Sequence, residues 1–135
     1  MQSVPRIWVG ARGPKALKAA AQHGDGWNAN FMPPDEFGRS CAYLREHAPA
    51  PRTIGATLPL ILAEGEAFDR TLRDRYGPTA ELMRPATLGG SPRQVAERVG
   101  QYAEEGAEWI ILAVRSPFDL DELQRFAADV VPLFA

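Results

Sequence analysis

The sequence predicts an α/β fold of parallel strands joined by helical crossovers, on three observations. Four apolar, β-rich runs at residues 5–11, 25–31, 53–63 and 108–114 alternate with helical patterns. Such alternation marks βαβ units, because each crossover lays a helix on a face of the sheet. Two helical patterns open with a proline, Pro14 and Pro92, where the fixed φ suits a first turn and the missing N–H has no intrahelical partner anyway. Hydrophobic residues make up 45% and charged residues 24% of the 135 positions, a globular mix, and the length suits one domain of about 100–200 residues. Residues 1–135 are therefore expected to form a single domain.

The run Pro5–Ala11 reads as a strand leading into the turn Gly10-Ala11-Arg12-Gly13. From Pro14 a helix runs to His23, with Ala16, Leu17, Ala19, Ala20 and Ala21 as a small-residue stretch for close packing, and Gly24 ends it. Across Asp25–Phe31 alternation puts Trp27, Ala29 and Phe31 on one face and Asn28 and Asn30 on the other. Met32-Pro33-Pro34 turns into a helix whose Asp35 and Glu36 suit the positive end of its dipole and which runs to His47. Thr53–Ala63 is almost uninterruptedly apolar, as in a strand buried on both faces, although Pro59 removes a ladder donor.

Residues 64–90 form an irregular insertion with helical pieces at Ala67–Arg75 and Thr79–Arg84. Ser91, Pro92 and Gln94 then make a capping box, and Val95, Val99 and Tyr102 recur at helical spacing until Gly106. Glu108–Val114 reads as the fourth strand, and Leu120, Leu123, Phe126, Ala127 and Val130 mark a final amphipathic helix.

Fifteen Lys and Arg against 17 Asp and Glu give a net charge of −2, no basic field for a phosphate backbone, so nucleic acid is not an expected partner. The longest uncharged apolar stretch, Thr53–Ala63, is far short of the roughly 20 residues a membrane helix needs, so no membrane span is expected. The first ten residues hold no basic segment followed by an apolar run and a small-residue cleavage site, which predicts a cytoplasmic location. The single cysteine, Cys41, suits a reducing compartment.

Candidate chemistry concentrates at Gly10-Ala11-Arg12-Gly13-Pro14, a glycine-containing strand-to-helix turn that offers free N–H groups and a positive dipole end to a phosphate. Arg12 adds a charge-assisted hydrogen bond. The bland alternative is that the glycines only let the backbone bend. Gly89-Gly90-Ser91 is a second turn of this kind, but capping explains Ser91 without a ligand. His23 and His47 suit helix C-terminal ends, and no histidine or cysteine pair has metal-ligand spacing, so no metal is expected. Asp35/Glu36, Glu104/Glu105 and the trio Asp119, Asp121 and Glu122 fit helix starts or solvated faces. Trp27 reads as core, while Arg115-Ser116 reaches the rim after the last strand. Cys41 reads as a small buried hydrophobe.

Two stretches, PRIWVGARGPKALKAAAQHGDGWN (Pro5–Asn28) and GGSPRQVAERVGQYAEEGAEWIIL (Gly89–Leu112), resemble in order two segments of the luciferase-like flavin or deazaflavin monooxygenases and reductases. The resemblance implies a TIM-type (β/α)8 barrel, which takes about 250 residues, so that the four strands correspond to strands five to eight and the chain to the C-terminal half. It places Gly10, Ala11, Arg12, Gly13 and Pro14 at the phosphate of FMN or coenzyme F420, and Gly13-Pro14-Lys15 looks more like the deazaflavin branch. Catalytic residues in such enzymes come largely from the early strands, so none is assigned.

The function expected is the C-terminal half of an oxidoreductase, monooxygenase or hydride-transferring, that is inactive alone. Encoded as a truncated gene product or as one piece of a split enzyme, it would take a flavin-type cofactor and a small-molecule substrate once completed by a separately encoded N-terminal half or a homodimer. The alternative from another class is a stand-alone, non-catalytic α/β binding or self-assembly module that keeps the anion turn.

Overall fold

The first strand, β1 (Trp8–Gly10), is shorter than the apolar run containing it, because Asp25 captures the chain just ahead. Ile7 N donates to Asp25 Oδ2 at 2.7 Å, and Asp25 N donates to Ile7 O at 2.8 Å. This strand opens the computed structural model, which describes residues 4–135. Met1, Gln2 and Ser3, which head the segment read for an export signal, lie outside the described residues. Contacts divide the chain into two units, one made of the chain up to Thr57 with Tyr102–Ile111, the other of Leu58–Gln101 with Leu112–Ala135.

In the first unit β1 is followed by α1 (Pro14–His23), β2 (Gly26–Asn30), α2 (Pro34–His47) and the start of β3 (Thr53–Ile61). The strands are parallel, with Val9 beside Trp27 and Ala29 beside Ala56. Ala20 and Ala21 are fully buried, the small side chains letting α1 lie close to β1, β2 and α2. Phe37, fully buried, stacks on Trp27 at 5.8 Å between centroids and meets Tyr102 edge-on at 5.3 Å. Tyr102 comes from α5 (Pro92–Glu105), and its hydroxyl donates to Met32 O at 2.7 Å. The Glu105 carboxylate occupies the place a Cβ would take on Gly38, so α2 needs glycine there. Phe31 departs from the expected alternation: its φ of 50° carries it out of β2, and it is only half-buried.

In the second unit the stretch read as irregular holds α3 (Gly65–Tyr76) and α4 (Ala80–Met83), whose Leu72, Tyr76 and Ala80 pack around Ile61. A strand absent from the sequence reading, β4 (Leu88–Gly89), runs parallel to the end of β3 with Leu60 beside Leu88, giving five strands among the described residues where four were expected. At two residues it is too short for any periodicity to register. The fourth expected strand is β5 (Trp109–Ala113), which pairs with β3. Its Trp109 is 61% exposed, against the burial usual for tryptophan.

The final helix also differs from expectation. α6 (Leu120–Arg125) is six residues long and relaxes into a wide turn over Phe126–Val130 and a 3₁₀ turn over Val131–Phe134. Leu120 and Ala127 are exposed, and the face turned inward carries Glu122, which is only 6% exposed. Its carboxylate accepts from Leu62 N at 2.9 Å and from Arg75 Nη2 at 2.9 Å, while Arg75 Nη1 donates to Leu60 O at 2.6 Å and Arg125 Nη2 to Leu62 O at 3.0 Å. Glu122 stands in the first turn of the helix, as read, but buried rather than on a solvated face: side chains satisfy backbone groups at the end of β3 where a strand partner would otherwise do so. Asp119 is the N-cap, accepting from Glu122 N.

Glu122→Leu leaves Leu62 N without its acceptor and removes the Arg75 Nη2 bond, although Arg75 keeps Leu60 O and Asp119 at 3.9 Å, and a loss of about 2–3 kcal/mol of unfolding free energy is expected. Urea denaturation measures it, and an unchanged midpoint would show that the network contributes nothing.

Candidate functional site

Gly10 ends β1 and Pro14 occupies the first turn of α1, so Ala11, Arg12 and Gly13 span the C-terminal end of the strand and the N-terminal end of the helix. The Trp27 indole, 1% exposed, sits beneath this turn and donates from Nε1 to Ala11 O at 3.1 Å. Gly13 is the N-cap at φ 95° and ψ 158°, a region open essentially to glycine alone. Its glycine is therefore a backbone requirement, whereas Gly10 has room for a Cβ, 3.7 Å from Asn30 Nδ2.

No side chain caps α1, and its first turn carries no acidic residue. Gly13 O accepts from Leu17 N at 3.0 Å, so the N–H groups of Lys15 and Ala16 have no acceptor within the helix. The second glycine turn contrasts with this. Ser91 N donates to Gln94 Oε1 at 2.8 Å and Gln94 N to Ser91 Oγ at 3.3 Å, a reciprocal capping box that spends the donors a ligand would use.

Arg12 is not left free by the fold. Its Nη2 lies 2.7 Å from Glu36 Oε2 and its Nη1 donates to Phe31 O at 3.2 Å, so it ties the turn after β1 to the turn after β2. Sequence reasoning placed Glu36 in the first turn of α2, which is correct, but not opposite Arg12, since no local spacing links residues 24 apart. The two side chains are 43% and 38% exposed, and an ion pair so open to solvent is worth no more than about 1 kcal/mol. A phosphate can therefore compete with Glu36 for Arg12 at small cost. A cavity of about 320 Å³ adjoins the turn, lined by Gly13, Pro14, Trp27, Glu36, Ser40 and Tyr43 among others.

On the other face of β2, Asn28 Nδ2 donates to Thr57 Oγ1 at 2.7 Å and to Asn30 Oδ1 at 3.2 Å, while Asn28 Oδ1 is enclosed without a donor. Alternation separated these asparagines from Trp27, but the pairing with Thr57 follows only from the register. Other residues singled out in the sequence serve structure. His23 and His47 end α1 and α2, with His47 stacked on Tyr43. Arg115 covers the Tyr76 ring at 4.8 Å. Cys41 is fully buried, and burial pushes its thiol up to about 12, which rules it out as a nucleophile near neutral pH. Among the described residues no group of three or more His, Cys, Asp or Glu side chains is placed to hold a metal, and no helix is long and apolar enough to cross a membrane.

The model of the luciferase-like monooxygenase family matches residues 1–76, more than half of the 135. The chain belongs to the luciferase-like monooxygenase family. The match contains the first glycine turn and the Asp25-Gly26-Trp27 stretch.

Solved luciferase-like structures share the fold. EDTA monooxygenase (EmoA) from Chelativorans sp. BNC1 is 17% identical at a TM-score of 0.69, over 96% of this chain and 44% of that one. The coenzyme F420 dependent tetrahydromethanopterin reductase of Methanopyrus kandleri is 15% identical at 0.72, over 96% and 51%. An F420-dependent secondary alcohol dehydrogenase in complex with an F420-acetone adduct is 10% identical at 0.67, over 95% and 49%. The chain thus spans about half the length of these structures, and its parallel βαβ units are those of a TIM-type barrel. No curated protein sequence matches the chain.

Gly13→Ala forces a side chain into a glycine-only region and is expected to cost about 1–3 kcal/mol in thermal unfolding with or without any ligand. Cys41 is expected to resist a disulfide thiol reagent at pH 8 in the folded chain and to react in urea. With its folded value raised to about 12, its contribution to stability is intact below the ordinary thiol value of about 8.5 and is lost as pH climbs toward 12.

Proposed function

We propose that this chain supplies strands five to eight of a luciferase-like oxidoreductase barrel and holds the phosphate of FMN or coenzyme F420 at Gly10-Ala11-Arg12-Gly13-Pro14. The observation that carries the reading is the uncapped start of α1 behind Gly13, with the Lys15 and Ala16 N–H groups unspent. Family membership supports the cofactor class, and two of the similar structures are F420-dependent by name.

The residues present suit a phosphate on physical grounds. Nothing lies within 4 Å of where a Gly13 Cβ would be, so the backbone can be approached closely. The dipole of α1 is unopposed by acid in its first turn. Arg12, pre-positioned by Phe31 O, turns from Glu36 to the phosphate. The cofactor, when bound, supplies the hydride or oxygen chemistry. Trp27 fixes the turn through Ala11 O, so that the phosphate is held at a defined distance from the strand ends where parallel α/β folds place their chemistry.

Catalysis on a small-molecule substrate requires the remaining strands, whether carried in the same polypeptide, in a separately encoded half or by a second copy, and the chain alone is inactive. FMN and coenzyme F420 are expected to shift the backbone amide resonances of Gly13, Lys15 and Ala16 in heteronuclear NMR, with millimolar rather than tight affinity for the 135-residue chain. Glu36→Gln is expected to raise that affinity about three- to tenfold by removing a like charge beside the phosphate. Amides that stay in place with both cofactors would instead support the reading as a non-catalytic module whose turn is merely structural.

A further inference from the structure

A cavity of about 510 Å³ opens at the N-terminal end of β3, with Leu44, Arg45, Pro49, Arg52, Ile54 and Glu108 in its walls. β1, β2 and β3 are parallel, so this is the opposite end of the strands from the Gly10–Pro14 turn, and the cavity shares no residue with that site.

Among the described residues neither Arg45 nor Arg52 has a carboxylate within 4.0 Å, a state they share with Arg98, Arg115 and Arg125, but these two line one cavity. Arg45 donates to Glu105 O, while the Glu105 carboxylate lies over Gly38. Arg52 Nη2 donates to Ala21 O at 3.0 Å, and its Nε is enclosed with no acceptor. The one acid, Glu108, accepts from Ile54 N at 3.1 Å. Two guanidinium groups against one carboxylate leave the cavity a formal charge of +1, and the rest of the named wall is apolar.

We infer that this cavity binds a monocarboxylate with an apolar body. The carboxylate accepts from Arg45, and a turn of the Arg52 side chain brings its Nε–Nη edge to the same group, the planar fork that matches a carboxylate. That turn gives the enclosed Nε the acceptor it lacks. The apolar body displaces water from Pro49, Ala50 and Pro51, the exposed apolar wall of the cavity. A dianion exceeds the available charge and meets Glu108, and a neutral molecule of the same shape makes no charge-assisted bond.

Benzoate, its neutral isostere benzamide and the dianion isophthalate, titrated into the 135-residue chain, test this through the amide resonances of Ala48, Ala50 and Gly106. Benzoate is expected to move these amides and to bind at least about tenfold more tightly than benzamide, the difference one charge-assisted hydrogen bond makes. Isophthalate is expected to bind more weakly than benzoate. Arg45→Gln is expected to weaken benzoate about tenfold, and Arg52→Lys, which keeps the charge but loses the fork, carries the same test if the first variant does not fold. Equal binding of benzoate and benzamide, unmoved cavity amides, or a folded variant with unchanged benzoate affinity overturns the proposal. None of these outcomes bears on the phosphate turn, whose amides are read in the same spectra.

Discussion

The Trp27 indole is the contact on which the first unit turns. Its ring stacks on Phe37, which in turn meets Tyr102, and its Nε1 holds Ala11 O. One side chain therefore belongs to the core by its faces and to the candidate site by its edge. Tryptophan suits this double position because it buries a large apolar area while keeping one directional donor. The turn before α1 is thereby tied through Trp27 to the rings of Phe37 and Tyr102.

The two glycine turns show how the same motif acquires different chemical meaning. Both lie between a strand and a helix that starts with proline. At the second, Ser91 and Gln94 satisfy each other's backbone donors, leaving nothing for a ligand. At the first, Gly13 offers no side chain, Pro14 brings no N–H, and no side chain caps the donors that follow. Arg12 adds charge but is shared with Glu36. Affinity at such a site depends on the balance between a solvent-screened ion pair and a phosphate ester, a competition of small energies that a single substitution can tilt.

Regular elements were legible where a period or a cap repeats over a turn or more. α1 begins and ends at Pro14 and His23 as read, and α2 ends at His47 as read. The capping box of α5 is present atom for atom. The misreadings have a common cause. β4 has two residues and no period, α6 exchanges an apolar face for the buried Glu122, and Phe31 leaves its strand through a positive φ. In each case partners distant in sequence meet the residue: Leu60 for β4, Leu62 with Arg75 for Glu122, and Thr57 with Arg12 for the Phe31 backbone.

The amino-acid sequence by itself determined the order of the helices and of every described strand but β4, the position of the glycine turn at the end of β1 and the family pattern that spans it. These depend on neighbours within about one helical turn or one strand pair, the range over which propensity, capping and alternation act. Only the tertiary structure decided that Arg12 faces Glu36, that Asn28 pairs with Thr57, that Glu122 is buried, and that Arg45 and Arg52 line one cavity without a carboxylate partner. Those juxtapositions join residues far apart along the chain, and register and packing, which no local pattern encodes, bring them together.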